Sequence, residues 1–171
     1  MDVLVDNNIL SSLAKTNRLA LLDQLFDTVS TVPAVLDELH HGRLSSNPFV
    51  ERIESAKRFN GGWLTVDSPT SQELELADAV ADHALSRVDA KCIAVSETRE
   101  KTLLTDDSHV GQICRQRGTA VWELKLFVEA CIQHGLLTEA ELGDLITDLE
   151  EDDGYRFSEQ DRDDLFTRFD R

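Results

Sequence analysis

The chain has 171 residues, 41% of them hydrophobic, which suits one domain with a full core. No apolar run approaches the roughly 20 residues needed to span a bilayer, so no membrane role is expected. The net charge of −16, from 33 acids against 17 Lys and Arg, should repel nucleic acid in dilute buffer. A cationic partner would answer that charge, but the acids run along the whole sequence. That distribution fits a cytoplasm with molar salt, where a Debye length of about 3 Å quenches repulsion between exposed charges. A halophilic archaeal host is therefore expected, and the acidity says little about substrate. Cys92, Cys114 and Cys131 stand far apart with no C-x-x-C pair, as reduced thiols in a cytoplasmic core would. A first strand starting at residue 2 or 3 leaves no room for a signal peptide.

Val3-Leu4-Val5 reads as a short buried strand that delivers Asp6-Asn7-Asn8 to its carboxyl end. Apolar residues at helical spacing predict helices over 8–15 and 17–26. Thr28 to Val32 is a β-branched strand, and Pro33 opens a helix to His41 that Gly42 ends. A weaker helix from Ser45 to Phe59 closes at Gly61-Gly62, and Trp63 to Val66 forms a third strand. An acidic helix covers 69–85 and a packed one 89–100. Thr102 to Thr105 is a strand, 108–117 a helix capped by Gly118, and Thr119 to Trp122 the last strand. Helices over 123–134, 138–149 and 158–169 follow, the last opened by Ser158-x-x-Asp161. Glu150 to Gly154 between them reads as a solvated turn. Strands alternating with helices predict an α/β fold, a parallel-sheet, three-layer Rossmann-like arrangement, with 1–122 as its core and 123–171 as a helical C-terminal extension packed on the same domain.

Each acid near a strand end has an ordinary reading. Asp6 and Asp89 suit N-caps, Glu38 suits a solvated face beside Val35, and one of Asp106 and Asp107 suits a cap. Two adjacent carboxylates repel unless a cation offsets them, so both being caps is not expected. His40-His41 beside Glu38 point different ways on a helix and read as surface residues, and His83, His109 and His134 as structural. Trp63 and Trp122 read as packing at strand ends.

Taken together, the strand ending in Asp6-Asn7-Asn8, Pro33-x-Val35-x-x-Glu38-Leu39, Asp89-Ala90 and Leu103-Leu104-Thr105-Asp106-Asp107 come in an order that resembles the PIN domain family of metal-dependent ribonucleases. The resemblance covers residues 2 to about 122. The tail, with Glu129-Ala130, Gly135-Leu136 and Gly154 to Ser158, is similar to the helical extension of one subgroup. The loosest match is Arg87-Val88-Asp89-Ala90-Lys91, where Lys91 stands in place of a second acid.

The resemblance implies an endoribonuclease that leaves 5′-phosphate and 3′-hydroxyl ends. It implies Asp6, Asp89 and Asp107 as metal ligands and Glu38 as ligand or water-positioning base, with Asn8, Thr105 and Asp106 in support. Asn8 would hold Asp6 or a coordinated water, and Thr105 would do the same for Asp107. Carboxylates without His or Cys suit Mg²⁺ or Mn²⁺, and a metal pair roughly 3.5–4 Å apart can activate a water and stabilise the leaving oxygen. Arg87, Arg99, Lys101, Arg115 and Arg117 could steer RNA phosphates. As the toxin of a toxin–antitoxin pair, the chain would have a small antitoxin as partner. Dimers are common among such toxins, and Leu10, Leu13 and Leu22 could serve a homodimer face as well as a core. Two other readings remain: a PIN-like scaffold without turnover, and a phospho-receiver domain with Asp67 as acceptor.

Overall fold

A computed structural model describes residues 1–41, 48–81 and 84–170. Five short aliphatic and β-branched runs form the strands β1 (Asp2–Val5), β2 (Thr28–Thr31), β3 (Leu64–Val66), β4 (Thr102–Leu104) and β5 (Val121–Trp122). They make one sheet in the order β3-β2-β1-β4-β5, and every neighbouring pair is parallel. Val3, Leu4 and Val5 of the central strand are wholly buried, as expected where both faces of a sheet are covered. The chain builds outward from β1 through β2 to β3, then crosses back to lay β4 and β5 on the other side. The order thus reverses between β1 and β4. In open α/β sheets the crevice beyond the strands' carboxyl ends at such a reversal is where ligands bind. Val5 pairs with Leu104, and the Asp6 amide donates to the Leu104 carbonyl at 3.1 Å, so Asp6 and Thr105 lie side by side in that crevice.

Ten helices flank the sheet among the described residues: α1 (Asn7–Lys15), α2 (Ala20–Leu25), α3 (Pro33–His41), α4 (Pro48–Ala56), α5 (Ser71–Val80), α6 (Arg87–Thr98), α7 (Ser108–Gln116), α8 (Leu124–Gln133), α9 (Glu139–Asp148) and α10 (Glu159–Thr167). Where their ends depart from the sequence reading, backbone chemistry explains it. Asn17 takes a left-handed φ of 56°, so α2 starts three residues later than expected. Thr70 and Glu73 close a reciprocal capping box that fixes the start of α5. α4 ends at Ala56 and one 3-10 turn, Arg58–Asn60, leads to β3. Gly62 is required there, because a Cβ would lie 2.1 Å from the Ala56 carbonyl oxygen. The expected stop at Gly42, the expected start at Ser45 and the lone His83 fall outside the described residues.

The stretch expected to be a solvated turn is instead a π-type turn, Leu149–Asp153, tied to the first helix. Asp153 accepts from the Ser12 hydroxyl at 2.6 Å and the Lys15 ammonium at 3.0 Å, and Asp148 pairs with Arg18 at 2.8 Å. Leu10, Leu13 and Leu22 are wholly buried within the chain and belong to the core, leaving no dimer face there. Phe26 links the two parts of the sequence, its ring stacked 5.9 Å from Phe127 of α8 and tilted 5.6 Å from Trp122. Cys92, Cys114 and Cys131 are all buried and free, and burial pushes each thiol up. Among the described residues no helix is long and apolar enough to cross a membrane.

Candidate active site

Asp6 is 4% exposed at the end of β1, where the sheet order reverses. It caps α1 by accepting the Ile9 amide at 2.9 Å, and the Thr105 hydroxyl donates to it as well. Those contacts favour the charged form, yet burial dominates and pushes Asp6 up to about 7, with Asp89 and Asp106 adding repulsion. Thr105 reaches both strand-end acids, because its oxygen also accepts the Asp107 backbone amide at 3.2 Å. It was expected to steady Asp107 alone.

Asp106 and Asp107 are both caps, against expectation. Asp107 accepts the His109 and Val110 amides of α7 at 2.9 and 3.1 Å through one oxygen, Oδ1. Asp106 accepts the Leu124 amide at 2.7 Å, the first of α8, and takes the hydroxyl of Tyr155. Positive helix ends, rather than a cation, relieve this adjacent pair. Asp89 has no capping duty, because Ser86 caps α6 by accepting the Asp89 amide at 3.0 Å. Its carboxyl is raised by burial, then by Asp107 and Glu38. Glu38 is exposed on α3 and accepts from the Asn7 side-chain amide at 2.6 Å. Asn7, not Asn8, is the amide that reaches a candidate acid, and that acid is Glu38 rather than Asp6; Asn8 is exposed and makes no side-chain hydrogen bond to Asp6 among the described residues.

The structure thus brings Asp6, Glu38, Asp89, Asp106 and Asp107 into one electrostatic neighbourhood. Cys92, buried behind it, is influenced by Asp6, Asp89 and Glu38 together. Among the described residues no Lys or Arg is seen in an ion pair with any of the five. Carboxylate oxygens gathered in this way suit a hard divalent ion. A finished cage is another matter: among the described residues no three His, Cys, Asp or Glu side chains are close enough to hold one metal ion. The donor chemistry fits such an ion, and Asp6 is the most deeply buried of the five acids.

The surrounding candidates sort clearly. Arg99 and Lys101 belong to a separate network, pairing with Glu73 at 2.8 Å and with Asp67 at 2.7 Å respectively. Asp67 is buried and also 3.4 Å from Arg99, which leaves no open acceptor for a phosphoryl group and removes the receiver reading. Arg117 is held by Glu97 at 2.6 Å, while Arg115 and Glu123 meet loosely at 3.8 Å with both side chains more than half exposed. His40 pairs with Glu54, and His41 contacts the Asp37 carbonyl, as surface residues would. Trp63 and Trp122 pack on the core.

Three site residues escaped the sequence reading. Ser86-x-x-Asp89 has the spacing of an N-cap motif and was legible. Asn7 turned on a one-residue choice of boundary. Tyr155 reaches Asp106 across 49 positions and had no local signal.

A family model described as PIN domain matches residues 2–170 of the chain. Among solved structures, the structure of FitAB bound to an IR36 DNA fragment shares the fold, with a TM-score of 0.52 and 18% identity over 72% of this chain and 94% of that one. A search of curated proteins finds no match.

Proposed function

Because the chain belongs to the PIN domain family, we propose that it is a metal-dependent endoribonuclease acting as the toxin of a toxin–antitoxin pair. Proteins of this family are generally nucleases that use divalent metals. The observation that carries the reading is Asp6: a carboxylate 4% exposed, at the sheet's reversal point, raised to about 7 and given no cation. Such a group is costly to the fold and useful to a bound cation.

Asp6, Asp89 and Asp107, with Glu38, would hold Mg²⁺ or Mn²⁺, which when bound supplies an activated water and charge stabilisation at the phosphodiester. The chain's own residues then have separable tasks. Thr105 gears Asp6 to the Asp107 backbone. Asn7 orients Glu38, which is exposed and able to position a water. Asp107 gives one oxygen, Oδ1, to two amides of α7. Asp106 fixes the corner to α8. Helix amides ease the repulsion at Asp106 and Asp107, and a bound cation would relieve what remains at Asp6 and Asp89. A small antitoxin presenting cationic side chains to this edge would block it by the same electrostatics.

The test is cleavage of mixed tRNA and rRNA with Mn²⁺ or Mg²⁺ in molar KCl, beside the Asp6→Asn/Asp107→Asn double variant. Both retain caps, since Asn caps as well as Asp. Metal-dependent cutting lowered at least about a thousandfold in the variant is expected, the scale of a lost charge-stabilising group. Equal cutting by both overturns the site. A folded, metal-binding wild type that never cuts favours the second reading, a PIN scaffold without turnover, to which the lack of a ready three-ligand group among the described residues lends weight.

A further inference from the structure

The opposite end of the sheet carries a second concavity that the acid group does not use. The end of α6, the start of β4, the end of α7 and the start of β5 enclose a cavity of about 410 Å³. Its walls include Ser96 and Thr119, 0% and 8% exposed. These are the two buried side-chain hydroxyls with no hydrogen-bond partner among the described residues. They come from different elements and meet at one cavity. A buried hydroxyl without a partner calls for an explanation, commonly a missing bound species.

The charges around the cavity decide what that species is. Arg117 lines it, but Glu97 neutralises the guanidinium through two contacts at 2.6 and 3.2 Å. Lys101 also lines it, yet its ammonium is drawn away to Ser30 and Asp67 at 3.0 and 2.7 Å. Glu100 has no ion pair among the described residues. It sits in a left-handed conformation, φ 54°, where most side chains are disfavoured. α6 and α7 both end here, and helix carboxyl ends carry partial negative charge; their last carbonyls are already taken by following amides, Ser96 by Lys101 at 2.9 Å and Cys114 by Thr119 at 2.8 Å. Hydroxyl oxygens, negative helix ends and one uncompensated carboxylate favour a ligand that is positive and rich in donors. The volume suits a small organic molecule.

We propose that this cavity at the amino edge of the sheet is a binding site for a small organic ammonium ion, held by Ser96, Thr119 and Glu100. The site is independent of the nuclease reading. Putrescine is the probe, and butane-1,4-diol the neutral control of similar length. The full chain is titrated by two-dimensional NMR, together with Ser96→Ala/Thr119→Val and, separately, Glu100→Gln. Expected are saturable shifts confined to residues 96–102 and 117–120. Affinity should fall about tenfold in the double variant, the scale of one to two lost hydrogen bonds. It should also fall in Glu100→Gln, and the diol should not bind. The double variant removes only unpartnered hydroxyls, so its Tm should be unchanged or higher. Because Glu100 is exposed, Glu100→Gln carries the test without touching the core. Putrescine binding of equal strength in both variants, or shifts scattered over the acidic surface, means adsorption and overturns the site. Binding of the diol as tight as that of putrescine overturns the cation assignment, and an unmoved spectrum overturns both.

Discussion

Asp6 and Glu73 are equally hidden, each 4% exposed, yet they titrate at opposite ends of the carboxylate range. Glu73 receives the Arg99 guanidinium through two nitrogens, the Thr98 hydroxyl and the Thr70 amide, and is held down at about 2. Asp6 receives one amide and one hydroxyl, no cation, and rises to about 7. Both are covered, but Asp6 lies deep, where burial dominates, whereas Glu73 is covered near the surface largely by its own partner, Arg99; depth and partner both differ. At Glu73 the fold supplies an arginine to the carboxylate; at Asp6, which caps α1, it supplies only an amide and a hydroxyl.

The sharpest way to break this comparison is Asp6→Asn. A carboxyl raised from 3.8 to about 7 makes the folded state hold its proton more tightly than the unfolded state does. Stability therefore falls as pH rises from 3.8 to about 7, and the full penalty persists above. Asn removes it while keeping the cap, so chemical denaturation at pH 8 without metal should find the variant more stable by about 3 to 4 kcal/mol, with no gain below pH 4. A variant less stable at pH 8 would mean that Asp6 is a structural acid like Glu73.

Arg99→Met tests the other side. Glu73, lowered from 4.5 to about 2, contributes stability that is complete above 4.5 and lost as pH falls toward 2. Removing its partner should cost about 3 kcal/mol near neutrality and flatten that acid limb. Divalent cation sharpens the contrast: Mn²⁺ at a hundred times its Kd should stabilise the wild type by about 2.7 kcal/mol, read as a rise in Tm. Asp6→Asn/Asp107→Asn should show none. The smallest effect belongs to Tyr155→Phe, which removes the hydroxyl on Asp106 and should cost about 1 kcal/mol; an unchanged Tm would show that Leu124 alone holds that carboxylate.

The sheet was legible because its strands are aliphatic runs that end in polar residues, a pattern that survives any error of one or two positions. Asp6, Glu38, Asp89 and Asp107 were marked as candidates by resemblance, and in the structure they lie near enough to influence one another's charge. What escaped depended on distance along the chain. Only α7 follows Asp106-Asp107 in sequence, so one cap was the sensible allowance; the second recipient, Leu124, arrives from 18 residues away. The turn at Glu150 to Gly154 is acidic and reads as solvated, and nothing local reveals that Ser12 and Lys15 wait for Asp153. Thr70-x-x-Glu73 and Ser86-x-x-Asp89 are different, since those capping patterns stood in plain view.

The contacts of the last third of the chain with the first have a consequence for the order of synthesis. Ser12, Lys15 and Arg18 are made early, but their acidic partners at 148 and 153 emerge more than 120 residues later, and Tyr155 after them. A ribosome must therefore release almost the whole chain before the acidic corner is braced. The corner that carries the candidate acids is thereby kept unfinished until the chain is nearly complete.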